Sequence, residues 1–154
     1  MNRYAVSGPT AATAATADNA IASLWNPSTA KSIFVKEAHL FKTTAGAADI
    51  VNVRRITAKG TITTSFAGAI EADFEHAIAP VSVAELDLNF SVQPTFAGTA
   101  ARGLAGAVVP AAIGSGIMWV FETPIQVKAG NGLCLCTGSA LAFPVSIATF
   151  IWFE

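Results

Sequence analysis

The stretch from Pro124 to Glu154, PIQVKAGNGLCLCTGSALAFPVSIATFIWFE, restricts the fold more than any other, because three segments in it alternate at period two with turn residues between them. Ile125 and Val127 alternate with Gln126 and Lys128, the pattern of a strand with one face buried and the other wet. Gly130-Asn131-Gly132 then breaks the chain, since Gly and Asn tolerate the positive φ of a tight turn. Leu133 and Leu135 continue on one face, with Cys134 and Cys136 on the other. After a second break from Gly138 to Pro144, Val145, Ile147, Thr149, Ile151 and Phe153 lie on one side. Ser146, Ala148, Phe150, Trp152 and Glu154 lie on the other. Both faces of this last strand are largely apolar, which predicts a strand covered on both sides, between sheets or between subunits. Chain ends fray unless something ties them down, so these residues are expected at the centre of a β fold and close to an oligomer interface.

With 154 residues the chain has the length of one domain with a real core. Only 12% of residues are charged and 53% are hydrophobic, against about 25% charged in an ordinary domain. Thirty-one alanines account for part of the excess. A surface so poor in charge invites permanent contacts, because interface centres are depleted in charged residues. Net charge is −1 and no basic cluster exceeds Arg54-Arg55, so direct nucleic-acid binding is not expected. The long uncharged segments, 103–121 and 130–153, are interrupted by Gly and Pro or run at period two, which argues against a membrane-spanning helix. The opening MNRYAVSGPT has no apolar h-region and does not read as a secretory signal, so a cytoplasmic protein is expected. Cys134 and Cys136, two positions apart on one strand face, are too parallel for a relaxed disulfide and are expected as buried free thiols.

Taken in order, residues 1–18 contain the low-complexity run TAATAATAD and are expected as an extended or flexible N-terminal arm, lying along a neighbouring subunit or free. Residues 19–154 form the expected domain. Ala20 to Trp25 alternates and ends at Asn26-Pro27, a strand and its turn. In Ser32 to Thr43 the alternation slips, and a bulge near Glu37 to His39 would repair it. His39 is expected at the rim of that strand. Asp49 to Lys59 and Thr61 to Phe66 are rich in β-branched residues and read as strands. For Arg54 and Arg55 two readings stand: a clamp on an acidic partner, or one solvated side chain and one paired within its own subunit. Glu71 to Glu75 with His76 concentrates acids, but its apolar context suits an exposed connection better than a cation site. Ala84 to Val92 alternates cleanly, with Leu86, Leu88 and Phe90 expected inward and Glu85, Asp87, Asn89 and Ser91 outward. Pro94 to Gly116 reads as a long Gly/Ala-rich contact loop, and Ile117 to Glu122 as a further strand.

Eight or nine short strands with Gly and Pro punctuation and no helical pattern predict an all-β, single-domain, jelly-roll-like antiparallel β-sandwich. The ligands of a cupin metal centre are missing, as are a nucleophile elbow and a phosphate-binding loop. No catalytic residue, metal or cofactor is expected, and the chain does not read as an enzyme.

The segments ASLWNPSTAKSIFVKEAHLFKTT, RRITAKGT and PIQVKAGNGLCLC, followed by a terminal strand ending in Trp-Phe-Glu, resemble small jelly-roll proteins encoded among tailed-phage head genes. The resemblance covers most of the chain after residue 20. It implies a capsid decoration, or cement, protein of the virion: a homotrimer on the capsid exterior that bridges neighbouring major capsid proteins, with no direct contact to nucleic acid or membrane. On that reading Phe150, Trp152 and Phe153 are the expected trimer interface, and Arg54 and Arg55 the expected capsid contact. The competing expectation on the same architecture is a trimeric receptor- or carbohydrate-binding head of a phage fibre.

Overall fold

The computed structural model describes residues 1–67, 82–98 and 103–154. The acidic segment Glu71 to Glu75 and His76 lie outside the described residues. Eleven strands are present among those described: β1 (Arg3–Pro9), β2 (Ala20–Asn26), β3 (Ile33–Lys42), β4 (Asp49–Ala58), β5 (Thr61–Ala67), β6 (Glu85–Val92), β7 (Thr95–Phe96), β8 (Ala105–Val109), β9 (Gly116–Val127), β10 (Asn131–Thr137) and β11 (Ser146–Phe153). They make two antiparallel sheets packed as a sandwich. One has the order β1-β11-β3-β9, the other β5-β6-β2-β10-β4-β7, with β8 also paired to β4. Strands β7 and β8 meet opposite ends of β4, at Ile56 to Ala58 and at Asp49 to Val53, and so fill one strand position between them. Counted that way, β1-β11-β3-β9 facing β2-β10-β4-β7/β8 is jelly-roll-like order, and β5 and β6 widen the second sheet beyond β2.

The core is built by alternation. Tyr4, Val6, Val35, Ala38, Leu40, Ala148, Phe150 and Trp152 from the four-stranded sheet meet Leu24, Val51, Val53, Leu86, Leu88, Leu133 and Leu135 from the other in one buried cluster. Each Val, Leu or Phe among them stabilises by roughly 1.5–3 kcal/mol when fully buried. Tyr4 stacks on Trp152 with ring centroids 5.8 Å apart. In β3 the inward set changes from Ile33 and Val35 to Ala38 and Leu40, because pairing with β11 shifts between Val35 and Glu37. A bulge is therefore present, centred on Lys36, one residue before the expected stretch Glu37 to His39. Its ammonium donates to the carbonyls of Phe121 (2.8 Å) and Glu122 (3.3 Å), where β9 carries extra residues opposite it.

Residues 1–18, expected as an arm outside the sandwich, are part of it. Strand β1 pairs along its whole length with β11, from Arg3 opposite Phe153 to Pro9 opposite Ile147. Beyond it, three threonines at a spacing of three tether the chain. Thr10 Oγ1 accepts from the Ser146 amide (3.1 Å), Thr13 Oγ1 from the Phe143 amide (2.9 Å), and Thr16 Oγ1 from Asn19 Nδ2 (2.5 Å). The segment is extended, but bonded rather than loose.

The expected loop from Pro94 to Gly116 also differs, since it contains β7 and β8. Small residues are what admit β8: a Cβ on Gly106 would overlap the Asn52 side chain. At the same end, buried Lys42 ties neighbouring loops together by donating to the carbonyls of Ala47 (2.6 Å) and Pro110 (2.7 Å), with its ammonium 5.0 Å from the Phe143 ring centre.

Candidate interaction face

Cross-strand partners share a face, so the register defines what the four-stranded sheet presents on its outer side. Four rows cross it. They are Pro9, Ile147, Phe41 and Gly116; Ser7, Thr149, His39 and Met118; Ala5, Ile151, Glu37 and Val120; and Arg3, Phe153, Phe34 and Gln126. Most of these side chains are apolar. Phe41 is 38% exposed, Ile147 41%, Met118 57% and Val120 60%, which makes this face a concentration of solvent-facing hydrophobic side chains. Isolated exposed apolar residues are ordinary, whereas several on one sheet face are the kind of surface at which proteins make contacts. Gly116 contributes by lacking a side chain: a Cβ there would overlap both the Phe41 ring and the Leu40 carbonyl oxygen, so Phe41 lies across β9.

A polar line crosses the middle of this face. Glu37 Oε2 meets His39 Nε2 at 2.9 Å, Glu37 Oε1 meets Arg3 Nη2 at 3.6 Å, and Ser7 and Thr149 join hydroxyls at 2.9 Å. The Arg3–Glu37 pair, with the Arg3 side chain in solvent, adds only about 0–1 kcal/mol to the fold. Under a partner these polar groups would set register, because an offset partner leaves them desolvated and unpaired.

The expected trimer residues divide across the strand. Phe150 and Trp152 are fully buried in the chain's own core, so they are not interface residues. Their alternating partner Phe153 is on the outer face. β11 is covered on one side by the second sheet, and its other side is the apolar face itself. The expectation of apolar cover on both sides thus holds for one side within the chain.

The two arginines divide as well. Arg54 is buried, 2.9 Å from Asp18 Oδ1 and 4.3 Å from the Phe96 ring centre, and is a structural residue rather than a partner contact. Arg55 is exposed and donates to the Gln126 carbonyl (2.5 Å). With Lys128 it lines a recess of about 290 Å³ bounded by Ala97, Asn131 and Gly132. Two basic side chains at the mouth of one recess suit a carboxylate-bearing partner. Lys128 was not singled out in sequence, and only the pairing of β10 with β4 brings it near Arg55.

The outer face of the larger sheet is different in kind. Ser65, Asp87, Ser23, Cys134 and Arg54 form one row across five strands. Asp87, expected outward and wet, is fully buried; Oδ1 accepts from Ser65 (2.9 Å) and faces Lys59 Nζ at 3.2 Å. Burial pushes its carboxyl above the ordinary value, against the opposing pull of Lys59 and Ser65. Phe90, expected inward, packs instead with Trp25, Phe96, Ile56 and the cysteines, because Asn89 at φ 58° turns the strand over. Cys134 and Cys136 are free and buried. Burial raises both thiols, Cys136 to about 12, so neither is a nucleophile at neutral pH.

Among the described residues no group of three or more His, Cys, Asp or Glu side chains could hold a metal ion, and no helix is long and apolar enough to cross a membrane. Among the described residues His39 meets one carboxylate and nothing else of ligand type. No family model, curated protein or solved structure matches the chain.

Proposed function

We propose that this protein is a structural virion component: a homotrimeric decoration protein that binds the outside of a tailed-phage capsid and stabilises the shell by bridging major capsid proteins. The observation that carries the reading is the apolar outer face of the four-stranded sheet, with Phe41, Met118, Val120 and Ile147 in solvent on a rigid scaffold. Protomer association through this face would cover those four side chains together with Phe34, Ile151 and Phe153. Full burial of a side chain of this size contributes about 1.5–3 kcal/mol, against roughly 4–15 kcal/mol of lost translational and rotational freedom, so the whole face is needed. The recess at Arg55 and Lys128 then takes an acidic group of the capsid protein. Many modest contacts repeated over a shell hold it through effective concentration rather than single-site affinity. The resemblance of the strand-turn-strand opening and the closing strands to small phage-head proteins points the same way.

Light scattering on the purified protein tests the first half: a mass near three times 15.8 kDa is expected. Val120→Glu, a change on an exposed side chain, is expected to give folded monomer. Co-sedimentation with capsids lacking the protein tests the second half. A wild-type monomer that also fails to sediment with capsids overturns the proposal.

A further inference from the structure

A pocket of about 380 Å³ lies on the larger sheet, between the tethered segment after β1 and the strands β5 and β6. It is remote in chemistry from the apolar face. None of the described residues lining it carries a charge; its walls are alanines, Ile21, hydroxyls, side-chain amides and the aromatic Phe90. Its volume falls in the range of small-molecule sites, about 300–1,000 Å³, in which a few placed polar groups on an apolar floor decide the ligand.

The polar groups keep unused capacity of both kinds. Thr63 Oγ1 donates to the Asn89 carbonyl (3.1 Å) and Ser91 Oγ to the Thr61 carbonyl (3.2 Å), which commits the single hydrogen of each and leaves lone pairs to accept. Gln93 Oε1 accepts from the Ala20 amide (2.6 Å), and its Nε2 hydrogens bond nothing among the described residues. Thr13 Oγ1 accepts from the Phe143 amide, leaving its own hydrogen to donate. Asn89 holds the wall in place: at φ 58° it accepts from the Ala11 amide (2.6 Å) and donates to Thr64 Oγ1 (3.1 Å). Asn is one of the few non-Gly residues that tolerates this left-handed conformation, and its two side-chain bonds fix the backbone on both sides of it.

We infer that this pocket binds a neutral saccharide. A sugar hydroxyl both donates and accepts, which matches acceptors on Thr63 and Ser91 facing donors on Gln93 and Thr13. The C–H face of a pyranose suits Phe90 and the alanine floor, and the lack of a charged group among the described lining residues selects against anionic sugars. The site is separate from the assembly face, so an assembled trimer can carry it as a second, adhesive function.

The test is a titration of nitrogen-15-labelled protein with glucose, galactose, mannose and N-acetylglucosamine, with glucuronate as the charged comparator. The expected result is saturable movement of the Thr63, Ser91 and Gln93 amide signals with at least one neutral sugar and none with glucuronate. Gln93→Glu keeps the acceptor for the Ala20 amide but removes the two donor hydrogens, and is expected to weaken binding by at least about fivefold. Thr63→Val, on an exposed strand position, is expected to weaken it to a similar degree and serves if the first variant disturbs β2. No movement with any neutral sugar overturns the inference. So does equal binding of glucuronate, or unchanged affinity in both variants.

Discussion

At Asp87 burial and charge act against each other. Desolvation raises the carboxyl above the ordinary 3.8, while Lys59 and Ser65 hold its ionised form. Because the folded value lies above the unfolded one, the folded state keeps its proton longer. Stability from this group is present below about 3.8 and is lost as pH rises through the folded value. Asp87→Asn preserves the acceptor toward Ser65 and cannot ionise. Its stability relative to wild type is therefore expected to rise between acid and neutral pH, measured by urea unfolding at both. The opposite slope would mean that Lys59 outweighs desolvation. The two cysteines allow a simpler check. With burial raising both thiols, native protein is expected to leave a thiol reagent unreacted at mildly alkaline pH, and denatured protein to titrate two groups. Rapid reaction of folded protein would show that the cover over β10 opens easily.

Strand β1 is the element that changes the account of the fold most. Its inward Tyr4 and Val6 and its pairing with β11 close the four-stranded sheet. Gly8 fits because a Cβ there would press on Leu88 and Phe66. Deleting residues 1–9 removes that ladder and uncovers Trp152, so loss of cooperative unfolding is expected, read by tryptophan fluorescence in urea. A loose arm would leave the transition unchanged. Next along the chain, Thr10→Val orphans the buried Ser146 amide and is expected to cost about 1–3 kcal/mol. Little of this could be read from residues 1–18, where an Arg-Tyr-Ala-Val-Ser-Gly-Pro strand is short and its inward side ends in glycine. The threonines at 10, 13 and 16 did carry a signal: hydroxyls spaced evenly in an otherwise alanine run. In β6, by contrast, alternation placed Leu86 and Leu88 correctly and failed at Phe90, since periodicity cannot register the reversal at Asn89.

At the scale of the whole molecule, charge poverty and architecture combine. Four exposed large hydrophobic side chains, Phe41, Met118, Val120 and Ile147, share one sheet face, while two of the few cations, Arg55 and Lys128, share a recess. If that recess grips acidic groups on a capsid, Arg55→Ala and Lys128→Ala are each expected to weaken capsid binding and to flatten its dependence on salt, measured by co-sedimentation across ionic strength. The fold itself is expected to be unaffected, because both side chains are exposed. A salt-independent interaction, unchanged in both variants, would assign capsid binding to the apolar face alone.

Period-two alternation and turn residues determined the all-β class, most strand positions, the β3 bulge and the unbridged thiols, because each depends on neighbours a few residues apart. Which apolar side of β11 meets the core, which arginine is sequestered by Asp18, and that β1 belongs to the sheet were decided only by tertiary structure. Those outcomes depend on pairings between residues more than thirty, and up to one hundred and fifty, positions apart. A strand with two apolar faces satisfies either orientation locally, and only the jelly-roll-like order, with β1 and β3 on either side of β11, selects between them.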